Sequence, residues 1–184
     1  MAETPSNMLP LGTNAPEFKL VNTLNQQMFT FSMGRGTKGT VVAFICNHCP
    51  FVLHINNTLV QLANTYQKLG ISFMAISSND VENYPQDGPE KMKDQALKLS
   101  YPFPYLYDED QSAAKAYQAA CTPDFYLFDK NNALVYRGQL DDSRPGNGKI
   151  SDGKDLAMAM EALLNNQTIN PIQKPSIGCN IKWK

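Results

Sequence analysis

Apolar and polar residues alternate at period two in Glu17-Phe18-Lys19-Leu20-Val21 and again in Gln27-Met28-Phe29-Thr30-Phe31, with Thr23-Leu24-Asn25 between them. That pattern predicts a β-hairpin. Gly34, Gly36 and Gly39 then mark a loop, and Thr40 to Ile45 is β-branched and aromatic with no polar alternation, as a strand buried on both faces requires. From about Asn47 to Leu69, Phe51, Ile55, Leu59, Leu62, Tyr66 and Leu69 recur at three- and four-residue spacings and predict an amphipathic helix, ended by Gly70. Asn47 is the expected cap, with Pro50 in the first turn, where its missing N–H costs nothing.

Ile71 to Ser77 reads as a second buried strand, Asn79 to Gly88 as a loop, and Pro89-Glu90 as the opening of a helix that contains Asp94 to Leu99. A short strand at Pro104 to Tyr107 and a helix from about Gln111 to Ala119 follow. Phe125 to Phe128 and Ala133 to Arg137, joined by Asp129 to Asn132, form an antiparallel pair. Asp141 to Gly153 is a polar loop, Lys154 to Leu164 an amphipathic helix, and the remainder a proline-punctuated tail. The expected class is α/β, a central mixed β-sheet flanked by helices, with an N-terminal β-hairpin and a C-terminal tail.

Length adds one constraint: 184 residues suit a single domain over 1–184, with a core at about 15–165 and an extension over 166–184. Sixteen basic and seventeen acidic residues give a formal charge of -1 with no dense basic cluster, so nucleic acid is not an expected partner. No basic residue precedes Lys19 and no apolar run suits a signal-peptide core, which points to the cytoplasm. No stretch reaches the ~18 apolar residues of a membrane span. Nothing in the sequence sets an oligomeric state.

In a reducing compartment, the four cysteines Cys46, Cys49, Cys121 and Cys179 point to catalysis or metal binding rather than to a disulfide framework. Cys46-Asn47-His48-Cys49-Pro50 closes the predicted strand and opens the predicted helix. Unpaired N–H groups and the helix dipole stabilise a thiolate there, taking a pKa of about 8.5 to roughly 7 or below. The expected roles are Cys46 as an exposed nucleophile and Cys49 as the resolving thiol, with His48 favouring the Cys46 thiolate when cationic. The rival is structural zinc held by Cys46, Cys49 and two of Cys121, Cys179 and His54, although the chain lacks the second closely spaced ligand pair such sites use.

Several segments together resemble the thioredoxin-like superfamily, and more closely its peroxiredoxin-like members related to alkyl hydroperoxide reductase and thiol-specific antioxidant proteins. These are Phe44 to Phe51, Ser77-Ser78-Asn79-Asp80 with Tyr84-Pro85, Cys121-Thr122-Pro123-Asp124-Phe125, Asp141-Asp142-Ser143-Arg144-Pro145, and the ending Gly178-Cys179-Asn180-Ile181-Lys182-Trp183. The resemblance implies a thioredoxin-like fold, a cis Thr122-Pro123 bond lying against the Cys46 sulfur, and a backbone there presented to an incoming substrate chain. It also brings Cys121 near the dithiol, either as an alternative redox thiol or as a buried structural one. Cys179 becomes a second resolving thiol if the tail folds back and is incidental otherwise.

The resulting expectation is a cytosolic thiol-disulfide oxidoreductase acting on protein or small-molecule disulfides, regenerated by an external thiol reductant, with no flavin, nicotinamide or metal implied. The alternative is a peroxiredoxin-like peroxidase in which Cys49 attacks peroxide and Cys46 resolves. The resemblance asks an arginine near the thiolate of that enzyme, and the site before the cis-proline strand reads Cys121-Thr122-Pro123 without one. The remaining alternative is a zinc-stabilised binding module without turnover.

Overall fold

The structure is a computed structural model that describes residues 3–184. Strand β1 is Glu3–Pro5, β2 Lys19–Asn22, β3 Met28–Thr30, β4 Gly39–Phe44 and β5 Ile71–Ser77. Strand β6 is Tyr105–Tyr107, β7 Cys121–Thr122, β8 Asp124–Asp129, β9 Leu134–Gly138 and β10 Ile177–Asn180. Helices are α1 Phe31–Gly34, α2 Pro50–Tyr66, α3 Pro89–Lys98, α4 Ser112–Ala116 and α5 Lys154–Leu164.

Seven strands form the main sheet in the order β3-β2-β6-β5-β4-β8-β9. Strand β4 sits between β5, which it meets in parallel, and β8, which it meets antiparallel. Its central place explains its composition: Val41, Ala43 and Ile45 face one cluster with Val52, Ile55 and Leu59 of α2 and Leu156 and Met160 of α5. Val42 and Phe44 face the other, with Phe31, Tyr117, Tyr126 and Phe128. Neither face meets water, so no polar position interrupts the strand.

The hairpin forms as β2 and β3, but its second arm stops at Thr30, whose side chain accepts from the Met33 N–H, and Phe31, expected in the strand, opens α1 ahead of the loop. The expected helix at Gln111 to Ala119 is shorter, Ser112–Ala116. Helix α2 opens at Pro50 with Cys49 as its N-cap, so the Asn47 cap is incorrect. Asn47 is engaged elsewhere: its N–H donates to Asp87 Oδ1 and its side-chain amide to the Gln86 carbonyl.

Of the two courses left open for the tail, the structure takes the one that folds back. The tail forms β10, the central strand of a second, three-stranded sheet in the order β1-β10-β7. Cys179 pairs with Thr122 on one side and with Glu3 on the other. Gly178 is required there, because a Cβ would lie 2.0 Å from the Thr122 carbonyl oxygen.

Candidate active site

Strand β4 delivers Cys46 at its carboxyl end and α2 holds Cys49 at its amino end, so the two thiols share the junction that the sequence predicts. Thr122 lies across both. Its hydroxyl is 3.4 Å from Cys46 Sγ and its carbonyl oxygen 3.2 Å from Cys49 Sγ, and the Thr122–Pro123 bond is cis. Pro123 lines a cleft with Phe51, Ile55 and Arg144. Cys121 is buried with its Sγ 3.7 Å from the Pro123 carbonyl, and burial first, then Asp124, pushes its pKa far up.

The exposed nucleophile expected at Cys46 is not what folds. Cys46 is 1% and Cys49 0% exposed, with Thr122 of β7 against both and Cys179 of β10 against Cys49. Cys179 Sγ stands 2.8 Å from Cys49 Sγ, so Cys49 meets Cys179 on one side and Cys46 on the other.

Their acidities also reverse the expected roles. The Cys46 side chain, the Cys179 thiol and the amides of Val52 and Cys179 hold Cys49 down at about 5, against a desolvation penalty second in size to the Cys46 contribution. Contact with the Cys49 sulfur pushes Cys46 well above the ordinary thiol range, and burial and the Asp87 carboxyl add to the rise. The neighbouring sulfurs ionise as a pair, and the donors around Cys49 favour the charge there, opposed by the Thr122 carbonyl, which accepts from the Cys49 thiol.

His48 is not a solvated loop residue, and its ring lies within 4.8 Å of Cys46 Sγ, within reach of the thiol it was expected to favour. Its Nδ1 pairs with Asp87 Oδ2 at 2.6 Å and its ring stacks on Tyr84 with centroids 5.6 Å apart. Asp87 is fully buried in the turn before α3, and it also accepts from Asn79 Nδ2 and the Asn47 N–H. Tyr105 donates to Asn47 Oδ1 from the other side. Asp87 therefore pins the Asn47-His48 loop that separates the cysteines, a role hidden in the sequence because it sits in a segment read only as loop.

Of the expected zinc ligands Cys46, Cys49 and two of Cys121, Cys179 and His54, Cys179 reaches Cys49, but no four of them come together among the described residues. His54 Nε2 is buried in α2 without a hydrogen-bond partner, and Cys121 faces the Pro123 carbonyl. Among the described residues, the metal-type donors that do converge are Cys46, His48 and Asp87, mutually within 4.8 Å. Both carboxylate oxygens of Asp87 are already accepting hydrogen bonds. Arg144 donates to the Asp141 and Ser143 carbonyls and to Gln139 Oε1, and Arg137 to Gln173 Oε1. No helix of the described residues is long and apolar enough to cross a membrane.

The chain is similar over all of its length to an uncharacterised conserved protein from Geobacillus kaustophilus, at 55% identity and a TM-score of 0.98, covering 97% of that chain. It is similar to a hypothetical protein from Sinorhizobium meliloti at 45% identity and a TM-score of 0.96, covering 98% of each. A putative thioredoxin from Neisseria meningitidis shares the fold, with a TM-score of 0.63 at 20% identity over 83% of this chain and 90% of that one. No curated protein matches the sequence. Residues 11–137 match the AhpC/TSA family model, which spans the predicted hairpin, both cysteines of the Cys-x-x-Cys pair and the cis-proline strand. With its thioredoxin-like fold and its cysteines at the head of α2, the chain belongs to the AhpC/TSA family.

Proposed function

We propose that this protein is a cytosolic thiol-disulfide oxidoreductase in which the Cys49 thiolate attacks a substrate disulfide. The observation that carries the reading is the meeting of the Cys46 and Cys49 sulfurs on Thr122 at the start of α2, with the negative charge favoured on Cys49. Attack forms a bond from Cys49 Sγ to one substrate sulfur and expels the other as a thiolate, which takes a proton from solvent. A second thiol of the site then releases the product, and an external dithiol restores the enzyme. Cys46 holds the nucleophile ionised; Thr122 and Pro123 form the wall against which the mixed disulfide lies. Dithiothreitol-dependent reduction of insulin tests the reading. Cys49→Ser is expected to abolish turnover while its far-UV circular dichroism stays that of the parent, and an unchanged rate would refute it.

Peroxide reduction is a second reading, favoured by the enclosure of the sulfurs, since a small oxidant needs less space than a polypeptide disulfide. Cys49 would attack one peroxide oxygen, becoming a sulfenic acid while the other oxygen leaves as water or an alcohol. A neighbouring thiol then condenses with it, forming a disulfide and water. Consumption of hydrogen peroxide with dimedone trapping at Cys49 separates this from disulfide exchange. Cytosolic placement rests on the composition of the sequence and is tested by cell fractionation.

A further inference from the structure

We propose that Cys179 is the resolving thiol of Cys49, so that a turnover comes to rest in a Cys49–Cys179 disulfide and β10 serves as a built-in partner strand. The inference rests on the reading of Cys49 as the reacting sulfur and adds the identity of the group that completes the exchange.

Placement carries the argument. The two sulfurs are 2.8 Å apart, closer than Cys49 Sγ stands to the Thr122 carbonyl oxygen at 3.2 Å, and a bond between them needs a movement of less than about 1 Å. Cys179 is held there by the fold. Its strand is paired on both edges, and beyond it the Ile181 N–H donates to the Ala120 carbonyl at 3.0 Å. The Lys182 N–H donates to Asn79 Oδ1, and the Lys182 carbonyl accepts from the Asp80 N–H and from Gln111 Nε2. Ile181 is buried in the core on the other side of the sheet. A segment with no function at the sulfurs would not need this set of anchors at the spacing that aims Cys179 at Cys49.

The chemistry balances with the groups present. After Cys49 has taken one sulfur of a substrate disulfide and released the other, Cys179 gives up its proton and its sulfur attacks Cys49 Sγ. The Cys49–Cys179 bond forms, the bond from Cys49 to the substrate sulfur breaks, and that sulfur leaves and takes a proton. The substrate disulfide is reduced by two electrons and the enzyme dithiol is oxidised by two.

Electrostatics time the step. Burial, then the hydrogen bond and charge of Cys49, push Cys179 up to about 12, while Lys182 pulls it down. Cys49 loses its charge when it enters the mixed disulfide, which removes two of the three causes that keep Cys179 protonated. Cys179 becomes more acidic at the stage at which it must attack.

Tryptic mapping of the full-length protein decides the matter. Cys46 and Cys49 fall in one peptide, residues 39–68, and Cys179 in another, residues 155–182, because the bond before Pro175 resists cleavage. After oxidation with one equivalent of a small-molecule disulfide and alkylation of remaining thiols, the expected species is peptide 39–68 joined to 155–182. It should form in Cys46→Ser also. Cys179→Ser should release the first substrate thiol in a burst, accumulate the Cys49 mixed disulfide and lose most steady-state turnover. Recovery of only an internal Cys46–Cys49 disulfide from an active wild-type enzyme would overturn the role of Cys179 and leave the proposed activity standing. Undiminished insulin reduction by Cys49→Ser would instead remove the reading on which it rests.

Discussion

Cys46→Ala isolates what makes the site reactive. In the folded protein the Cys46 side chain is the largest single influence that lowers Cys49, ahead of the Cys179 thiol and two backbone amides. A hydrogen bond to a charged acceptor contributes about 1.5–3 kcal/mol. At 1.36 kcal/mol per unit, its loss should raise the Cys49 pKa by about 1–2 units. Cys49 should therefore move from about 5 to the region of about 6–7, still below a free thiol, because Cys179 and the amides remain. The sign follows from the charged form: a donor stabilises the thiolate, so removing it favours the protonated state. At pH 6 the thiolate fraction should fall from about nine-tenths to between about one-half and one-tenth. Ultraviolet absorbance of the thiolate near 240 nm, followed against pH with Cys49→Ser as the blank, measures this directly. Tyrosine absorbance does not intrude at low pH, since a phenol ionises at about 10 and burial raises Tyr66 and Tyr101 further, to about 12. An unmoved midpoint, or a lower one, would refute the claim that Cys46 is the donor that holds the charge on Cys49.

Two further outcomes follow from contacts around the site. Asp87→Asn removes the carboxyl that raises Cys46 while keeping its size, so the Cys46 titration should shift to lower pH; the pH dependence of its 13Cβ chemical shift reads this, and an unchanged titration would show that the carboxyl does not act on that thiol. Phe44→Ala empties a fully buried position packed on Tyr117 and Tyr126 with ring centroids 5.5 and 5.8 Å away. It should cost about 3–5 kcal/mol in urea unfolding, and a loss below about 1 kcal/mol would argue against that cluster as core.

Long apolar segments were the legible part of this fold. Thr40 to Ile45 and Ile71 to Ser77 have no polar face, which only an interior strand tolerates, and they became the centre of the sheet. Helix α5 was readable to its end residues from its apolar period. Three short strands were not: Glu3–Pro5, Cys121–Thr122 and Ile177–Asn180 are two to four residues each, too short for a period, and exist because remote segments meet in register. The junction of strand, cysteines and helix was likewise legible, since it is local. The balance of acidity between the two thiols was not, because burial in the finished fold and the remote Asp87 and Cys179, 38 or more residues away in the chain, add to the mutual contact of Cys46 and Cys49. Asn47 shows the same limit: its propensity to cap is real, and tertiary partners in the turn before α3 claim it first.

Cys49 and Cys179 are 130 positions apart along the chain although their sulfurs almost touch. A covalent link between them would encircle most of the polypeptide, and restricting so long a loop in the unfolded ensemble is worth about 4–5 kcal/mol on chain-entropy grounds. A link between Cys46 and Cys49 encloses two residues and restrains almost nothing. The redox poise of this pair is thereby tied to the folding equilibrium of the whole molecule: oxidation would toughen the protein against heat, reduction would relax it, and the same free energy would appear as resistance of the bond to reductants.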